Sequence, residues 1–329
     1  MVEYILRRAI TALLTIWALS VISFAIIQLP PGDYVTAYIA QLQSSGSSVS
    51  REEAENIRQQ YGLDKPMYFQ YYLWIKQVIK GDFGVSMLWN RPVKEVIGDR
   101  LILTIVLTLA AVLLTWIIAL PIGIISAVKQ YSIIDYTFTF IGFIGLAVPS
   151  FLLALVVMYL GFIYFDADIG GLFSPEYQTA PWSINKGIDL IKHLWLPALI
   201  LGLAGTAQLI RTMRSNLLDE LHKQYVITAR AKGQSETKLL LRYPVRVALN
   251  PFISTIGYTL PFVVSGTIIV SIVLGLPTVG PLLYQALLAQ DMFLAGTIIL
   301  LIGIMTVVGT LISDLLLVWV DPRIHFMER

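Results

Sequence analysis

Between Tyr225 and Pro251 the chain reads YVITARAKGQSETKLLLRYPVRVALNP. The run holds five basic residues (Arg230, Lys232, Lys238, Arg242 and Arg246), one acid (Glu236) and one glycine (Gly233). These residue types attract anions and partner surfaces, and none of them is set up as a nucleophile. The rest of the chain offers no other chemistry. There is no cysteine, so disulfides, thiolate catalysis and cysteine-held metals are excluded. The three histidines, His193, His222 and His325, lie far apart without an HExxH spacing, so no zinc or histidine-based enzyme site is expected. No GxxxxGK[ST] occurs, so the usual phosphate loop for a nucleotide is absent.

Composition dictates which elements must position that run. Of 329 residues, 57% are hydrophobic and 13% charged, with a mean hydropathy of +0.74. A water-soluble domain carries roughly 25% charged residues. Most of this chain therefore has no water to face, and it reads as an all-α integral membrane protein. A spanning helix needs about 20 mostly apolar residues. Six segments meet that length: 9–29, 101–128, 136–165, 193–215, 252–276 and 293–319. The first is too long for a signal-peptide core and precedes no small-residue cleavage site, so it is expected to be retained. Pro121, Pro149, Pro197 and Pro261 fall in or beside spans, where each removes a backbone donor and favours curvature.

Orientation follows from the basic residues in short loops. With the N-terminus inside, thirteen lysines and arginines are cytoplasmic, and the short outside loops carry only Lys186 and Lys192. Both termini are expected in the cytoplasm. Residues 1–29 then form the N-terminus and first helix, 30–100 a small external lobe, 101–320 the core of spans two to six, and 321–329 a cytoplasmic tail. In the lobe, SVSREEAENIRQQYGL reads as a helix capped by Ser48 or Ser50, PMYFQYYLWIKQVI (66–79) as a second helix, and KGDFGVS (80–86) as a turn rather than a binding site. Residues 166–192, with paired glycines, two prolines and four acids, read as an irregular lid or connector.

The spans are nearly free of ionisable groups, and Asp314 lies close to a cytoplasmic end, where a structural pair with nearby basic groups is expected. Ion-coupled carriers usually keep such groups near the midplane. An uphill transporter built this way is expected to draw its energy from a partner. That returns attention to the cytoplasmic loop of about 216–250. Residues 219–232 have helix-forming composition, Gly233 interrupts, and a second short helix is expected up to Pro244. Two readings stand. The loop is a basic anchor meeting lipid headgroups, or a helix–turn–helix knob that enters a groove on another protein, which also accounts for small Thr228, Ala229 and Ala231 and for the apolar triplet Leu239 to Leu241.

TARAKG (228–233) followed by LLLRYPVRVALNP (239–251) resembles the cytoplasmic coupling loop of ATP-binding-cassette importer permeases. YILRR (4–8), LPPGD (29–33), YGLDKP (61–66), GDFG (81–84), LPAL (196–199) and DPRI (321–324) stand where the first permease of the dipeptide/oligopeptide/nickel family has similar words. The resemblance implies a six-helix type I ABC importer permease fold with an external lobe between helices 1 and 2. It implies a second permease subunit (a paralogue), two cytoplasmic ATPase subunits that bind the ATP and Mg, and an external solute-binding protein; membrane lipid surrounds the chain, and no nucleic acid or cofactor of its own is expected. By position, Thr228, Ala229, Arg230, Ala231, Lys232 and Gly233 would contact the ATPase. One position departs. Ser271 stands where the family often has a glutamate, as a pathway or packing residue. The substitution weakens a cationic solute and leaves peptide and neutral oligosaccharide open.

Overall fold

The computed structural model describes residues 2–28, 35–36, 39, 52, 55–56, 58–59, 62–165, 170–250, 252–254 and 268–320. Helix α1 spans Val2–Gln28 and α2 Met67–Ile79. A two-residue hairpin, β1 (Val85–Ser86) with antiparallel β2 (Arg91–Pro92), precedes α3 (Val93–Val128). Then follow α4 (Ile133–Ala147), α5 (Ser150–Phe165), the single turn α6 (Pro175–Gln178) and α7 (Ile184–Leu221). The short α8 (Gln224–Ala231), α9 (Glu236–Arg242) and α10 (Pro244–Ala248) lead to α11 (Ile268–Val273), α12 (Val279–Leu288) and α13 (Met292–Val320).

Four described helices are long and apolar enough to cross a membrane, in α1, α3, α7 and α13. They match the expected first, second, fourth and sixth spans. The expected third span, 136–165, is not one straight helix: it runs as two helices, α4 and α5, bent by 101°. Pro149 explains the break, because its ring disfavours the α region for the residue before it. Val148 is accordingly extended, at φ −90° and ψ 122°. Pro121 stays within the part of α3 that follows a kink at Gly98 (φ 23°, ψ −121°), and Pro197 within continuous α7. Most of the expected fifth span, Pro261, the LPPGD and DPRI words and the Ser48/Ser50 cap lie outside the described residues.

The connector 166–192 is corrected as well. Ser183 caps α7 by accepting the Lys186 N–H at 3.2 Å, so residues 184–192 are already helical. The segment before it is packed. Asp189 accepts the Ser174 N–H at 2.8 Å and its hydroxyl at 2.7 Å, and buried Lys186 lies over the rings of Phe173 and Trp182. At about 1.5 Å per residue, the 38 residues of α7 reach about 57 Å, well past a hydrocarbon core of about 30 Å.

The chain divides into two compact units, residues 1–103 with 278–307 and residues 104–277 with 308–329. In the first, the aromatic face of α2 packs on α1. Phe24 meets Tyr71 edge-on at 5.5 Å and stacks with Trp74 at 5.8 Å, and Ser20 Oγ and Tyr71 OH lie 2.8 Å apart. Asp291 closes this unit. Its fully buried carboxylate accepts the Ser86 hydroxyl at 2.5 Å, the Leu88 N–H at 3.0 Å and the Leu294 N–H at 3.1 Å. It thereby caps α13 and ties down the hairpin. The GDFG segment does turn, and Asp82 and Gly84 also line a cavity of about 540 Å³ with Lys65, Gln77 and Trp74.

In the second unit small residues let helices approach closely, as in membrane bundles generally. A Cβ on Gly202 of α7 would stand 2.5 Å from Thr115 Oγ1 and 3.1 Å from the Ala111 carbonyl on α3. Gly142 and Gly145 of α4 face Ala207 and Leu203 of α7. Replacing Gly202 with alanine is therefore expected to cost about 1–3 kcal/mol through overpacking. Gly205→Ala, whose Cβ meets only Thr115 Cγ2 at 3.8 Å, is the tolerated control. Unfolding midpoints of the detergent-purified variants check this, and equal midpoints would contradict it.

Candidate functional site

The run that opened the sequence folds as a compact knob at the end of α7. His222 caps α7, and extended Lys223 is the N-cap of α8, which starts at Gln224. A row of small residues lets α8 fold back on α9. Val226 and Ala229, three apart and so on one face, are buried against Leu239, with Tyr243 packed beside them. Gly233 makes the corner at φ +76°, where L-residues are disfavoured and glycine is not. Its N–H donates to the Arg230 carbonyl at 3.0 Å, ending α8. The expected helix, turn and second helix are all present, with the first helix beginning at Gln224 rather than Asp219.

Charge holds the two arms together across that corner. Arg230 donates from Nε and Nη2 to the two Glu236 oxygens at 2.6 Å and 3.2 Å. The hydrogen bonds from Arg230 hold the Glu236 carboxyl below its ordinary value, and Glu236 in turn raises Arg230. Both groups therefore stay ionised throughout the neutral range. Tyr225 donates to Glu220 on the last turn of α7. Burial first, and then that acceptor, push the Tyr225 hydroxyl above its usual range.

Of the six residues singled out in the sequence, the structure turns Ala229 inward, at 8% exposure, and leaves the other five exposed. Thr228 spends its hydroxyl on the Gln224 carbonyl at 2.8 Å. Ala231 and Lys232 lie at the free end of α8 with Arg230. Sequence reasoning named Leu241, within the apolar triplet, and missed Ile227; they stand 60% and 47% exposed, and Tyr225 39%. The signal for Ile227 was available, since it lies on a helix face away from the Val226/Ala229 pair. The knob thus presents exposed apolar side chains among cations, with its own small core behind.

The knob is carried on a rigid base. Met213 and Leu217 of α7 are fully buried against Val245 and Ala248 of α10, Ala119 and Ala127 of α3, and Phe252. Chain entering and leaving the knob is therefore packed together. Ser271 lies on α11, buried at 1%, and its hydroxyl has no hydrogen-bond partner among the described residues. Asp314 is half-buried. Trp17 and Trp195 are exposed on their helices, whereas Trp116 packs edge-on against Phe252. Among the described residues no three acidic or histidine side chains are grouped to hold a metal ion.

Residues 119–326 match the family described as binding-protein-dependent transport system inner membrane component. Residues 1–108 match the N-terminal component of the same kind of system. The chain is 34% identical over 327 residues to the oligopeptide transport system permease protein AppB of Bacillus subtilis, covering 99% of this chain and 100% of that one. It is 34% identical to a putative peptide permease of Brucella suis, over 98% of this chain and 99% of the relative. It is 30% identical to the glutathione transport system permease protein GsiC of Escherichia coli, over 99% and 100%.

Proposed function

The chain belongs to the family of binding-protein-dependent transport system inner membrane components, and from that premise we propose that it forms half of the pathway of an ATP-driven importer of short peptides. It is a multi-pass membrane protein and a transport subunit, not an enzyme. The observation that carries the reading is the knob. A chain that belongs to an ATP-driven importer but has no phosphate loop must receive work from ATP at a surface, and residues 224–242 supply one built for docking. Exposed apolar side chains on two short helices, set among cations and backed by their own core, suit insertion into a groove of another protein better than contact with headgroups alone.

Two ATPase subunits hold the ATP and Mg, a second permease paralogue completes the pathway, and an external binding protein delivers the solute. Both termini lie in the cytoplasm of a prokaryotic cell, and residues 30–100 form the external lobe. The peptide class is supported by relatives named for oligopeptides, peptides and glutathione, and no relative named here carries a sugar. The absence of a carboxylate at position 271 favours solutes that need no fixed counter-charge there.

The chain has no native cysteine, which makes the test clean. With Ala231→Cys in the assembled importer, a bifunctional thiol crosslinker is expected to capture an ATPase subunit. Capture of the second permease alone, or of no protein, overturns the docking role. Uptake of a labelled peptide by proteoliposomes, with the cognate binding protein present, tests the solute class.

A further inference from the structure

Asp135 and Arg214 form an ion pair inside the second unit, the carboxylate buried and the guanidinium partly buried. Arg214 Nε and Nη2 donate to the two Asp135 carboxylate oxygens at 2.8 Å and 2.9 Å. The Tyr131 N–H donates to the same carboxylate at 3.0 Å. The Asp135 side chain is 3% exposed and that of Arg214 27%. Such a pair is expensive to bury, and replacing it with apolar side chains is often neutral or stabilising. Stability alone therefore does not account for it.

Its position supplies a reason. Arg214 lies on the stretch of α7 that leads into the knob. Met213 and Leu217, one face of that stretch, are held by α10 and α3. Arg214 projects about 100° round the helix from Met213 and reaches the first turn of α4. The other α4–α7 contacts named above are glycines against apolar side chains, which can slide. A fork-to-fork arginine–carboxylate pair fixes both distance and rotation.

We infer that the Asp135–Arg214 pair is the positioning link that makes α4, and with it the broken α4–α5 span, move with the ATPase-coupled end of α7. This rests on the docking role proposed for the knob. When the partner ATPases displace the knob, α7 turns as one body and carries Asp135 with it. Without the pair, α7 moves and α4 lags, so ATP is hydrolysed without opening the path.

The test uses the complete importer in proteoliposomes with its binding protein. Asp135→Asn, Arg214→Gln and the double variant are compared for solute moved per ATP hydrolysed. Each single variant is expected to lower that ratio at least about fivefold, the low end of coupling effects between sites, and the double variant to be no worse than either single one. A ratio unchanged from wild type, or uptake and hydrolysis falling in parallel, overturns the link. Should a variant fail to assemble, spin labels at Ile133→Cys on α4 and Asp219→Cys near the end of α7, outside the docking surface, in the otherwise unaltered chain decide. Both positions are exposed. Their separation is expected to stay constant between nucleotide-free and ATP-trapped states, and a change above about 5 Å, one helical turn, overturns the proposal. An Ala231→Cys crosslink that still captures the ATPase beside a neutral Asp135→Asn would sink the link and leave the docking role standing.

Discussion

Replacing Gly233 with valine is expected to cut uptake about tenfold or more while leaving insertion into the membrane intact. Gly233 sits at φ +76°, and a Cβ there would meet nothing within 4 Å. The cost is therefore backbone strain and not a clash. A left-handed conformation costs an ordinary L-residue roughly 1–2 kcal/mol, and β-branching places valine at the upper end or beyond. Since about 1.4 kcal/mol is a factor of ten, the fraction of knobs held in docking geometry falls accordingly. Asparagine visits this region readily, so Gly233→Asn is expected to keep uptake within about threefold of wild type. Initial uptake rates normalised to membrane-inserted protein make the comparison. Equal effects of valine and asparagine would show that the turn conformation is not what matters.

The second large effect is expected at Asp291, far along the chain from the knob. Asp291→Ala strands the Ser86 hydroxyl and the Leu88 and Leu294 N–H groups, two of these hydrogen bonds being fully buried. Each buried donor left unmade costs about 1–3 kcal/mol, and lost helix caps about 1 kcal/mol. A loss of about 3 kcal/mol or more follows for the unit that holds α2, the hairpin and the start of α13. It should appear as new protease sensitivity between residues 80 and 92. Asp291→Asn keeps one acceptor oxygen and should lose about half as much. Burial pushes the Asp291 carboxyl above its ordinary value, against the pull of its donors Ser86, Leu88, Leu294 and Met87. The folded state thus holds that proton more tightly than the unfolded chain. Stability from this group is fully present below the ordinary value of 3.8 and declines as pH rises through the folded value. Proteolysis rates measured across that range should show the trend in the wild-type chain and not in Asp291→Asn; an identical pH dependence in both would contradict it.

Much of this protein is legible without coordinates, and the physical reasons are specific. Lipid accepts no unpaired backbone group, so long apolar runs such as those in α1, α3, α7 and α13 can only be helices. Length and hydropathy therefore place four spans, α13 to within a residue at each end, while α1 and α3 start seven and eight residues earlier and α7 runs on past both ends of its window. The knob was legible for a different reason. Gly233 in a run of good helix formers marks a corner from its conformational freedom alone. Arg230 and Glu236, six residues apart, could be listed as charges but not as a clasp, because their pairing depends on the angle of the turn between them.

Tertiary structure alone decided the rest. Whether a proline bends, breaks or passes unnoticed depends on its neighbours, so Pro121 and Pro197 leave helices whole while Pro149 breaks one by 101°. Ala229 and Ala231 are the same residue two positions apart, yet one faces Leu239 and the other faces outward. That difference is helical phase against a packing partner that comes ten residues later. Asp135 and Arg214 are 79 positions apart, and Ser86 and Asp291 are 205. No local pattern announces such pairs, since each residue alone reads as a charge or hydroxyl near the end of a span. Local chemistry and the solvent determined where the helices run; only the packing of distant segments decided which polar groups meet, and those meetings tie the knob's helix to the rest of its unit.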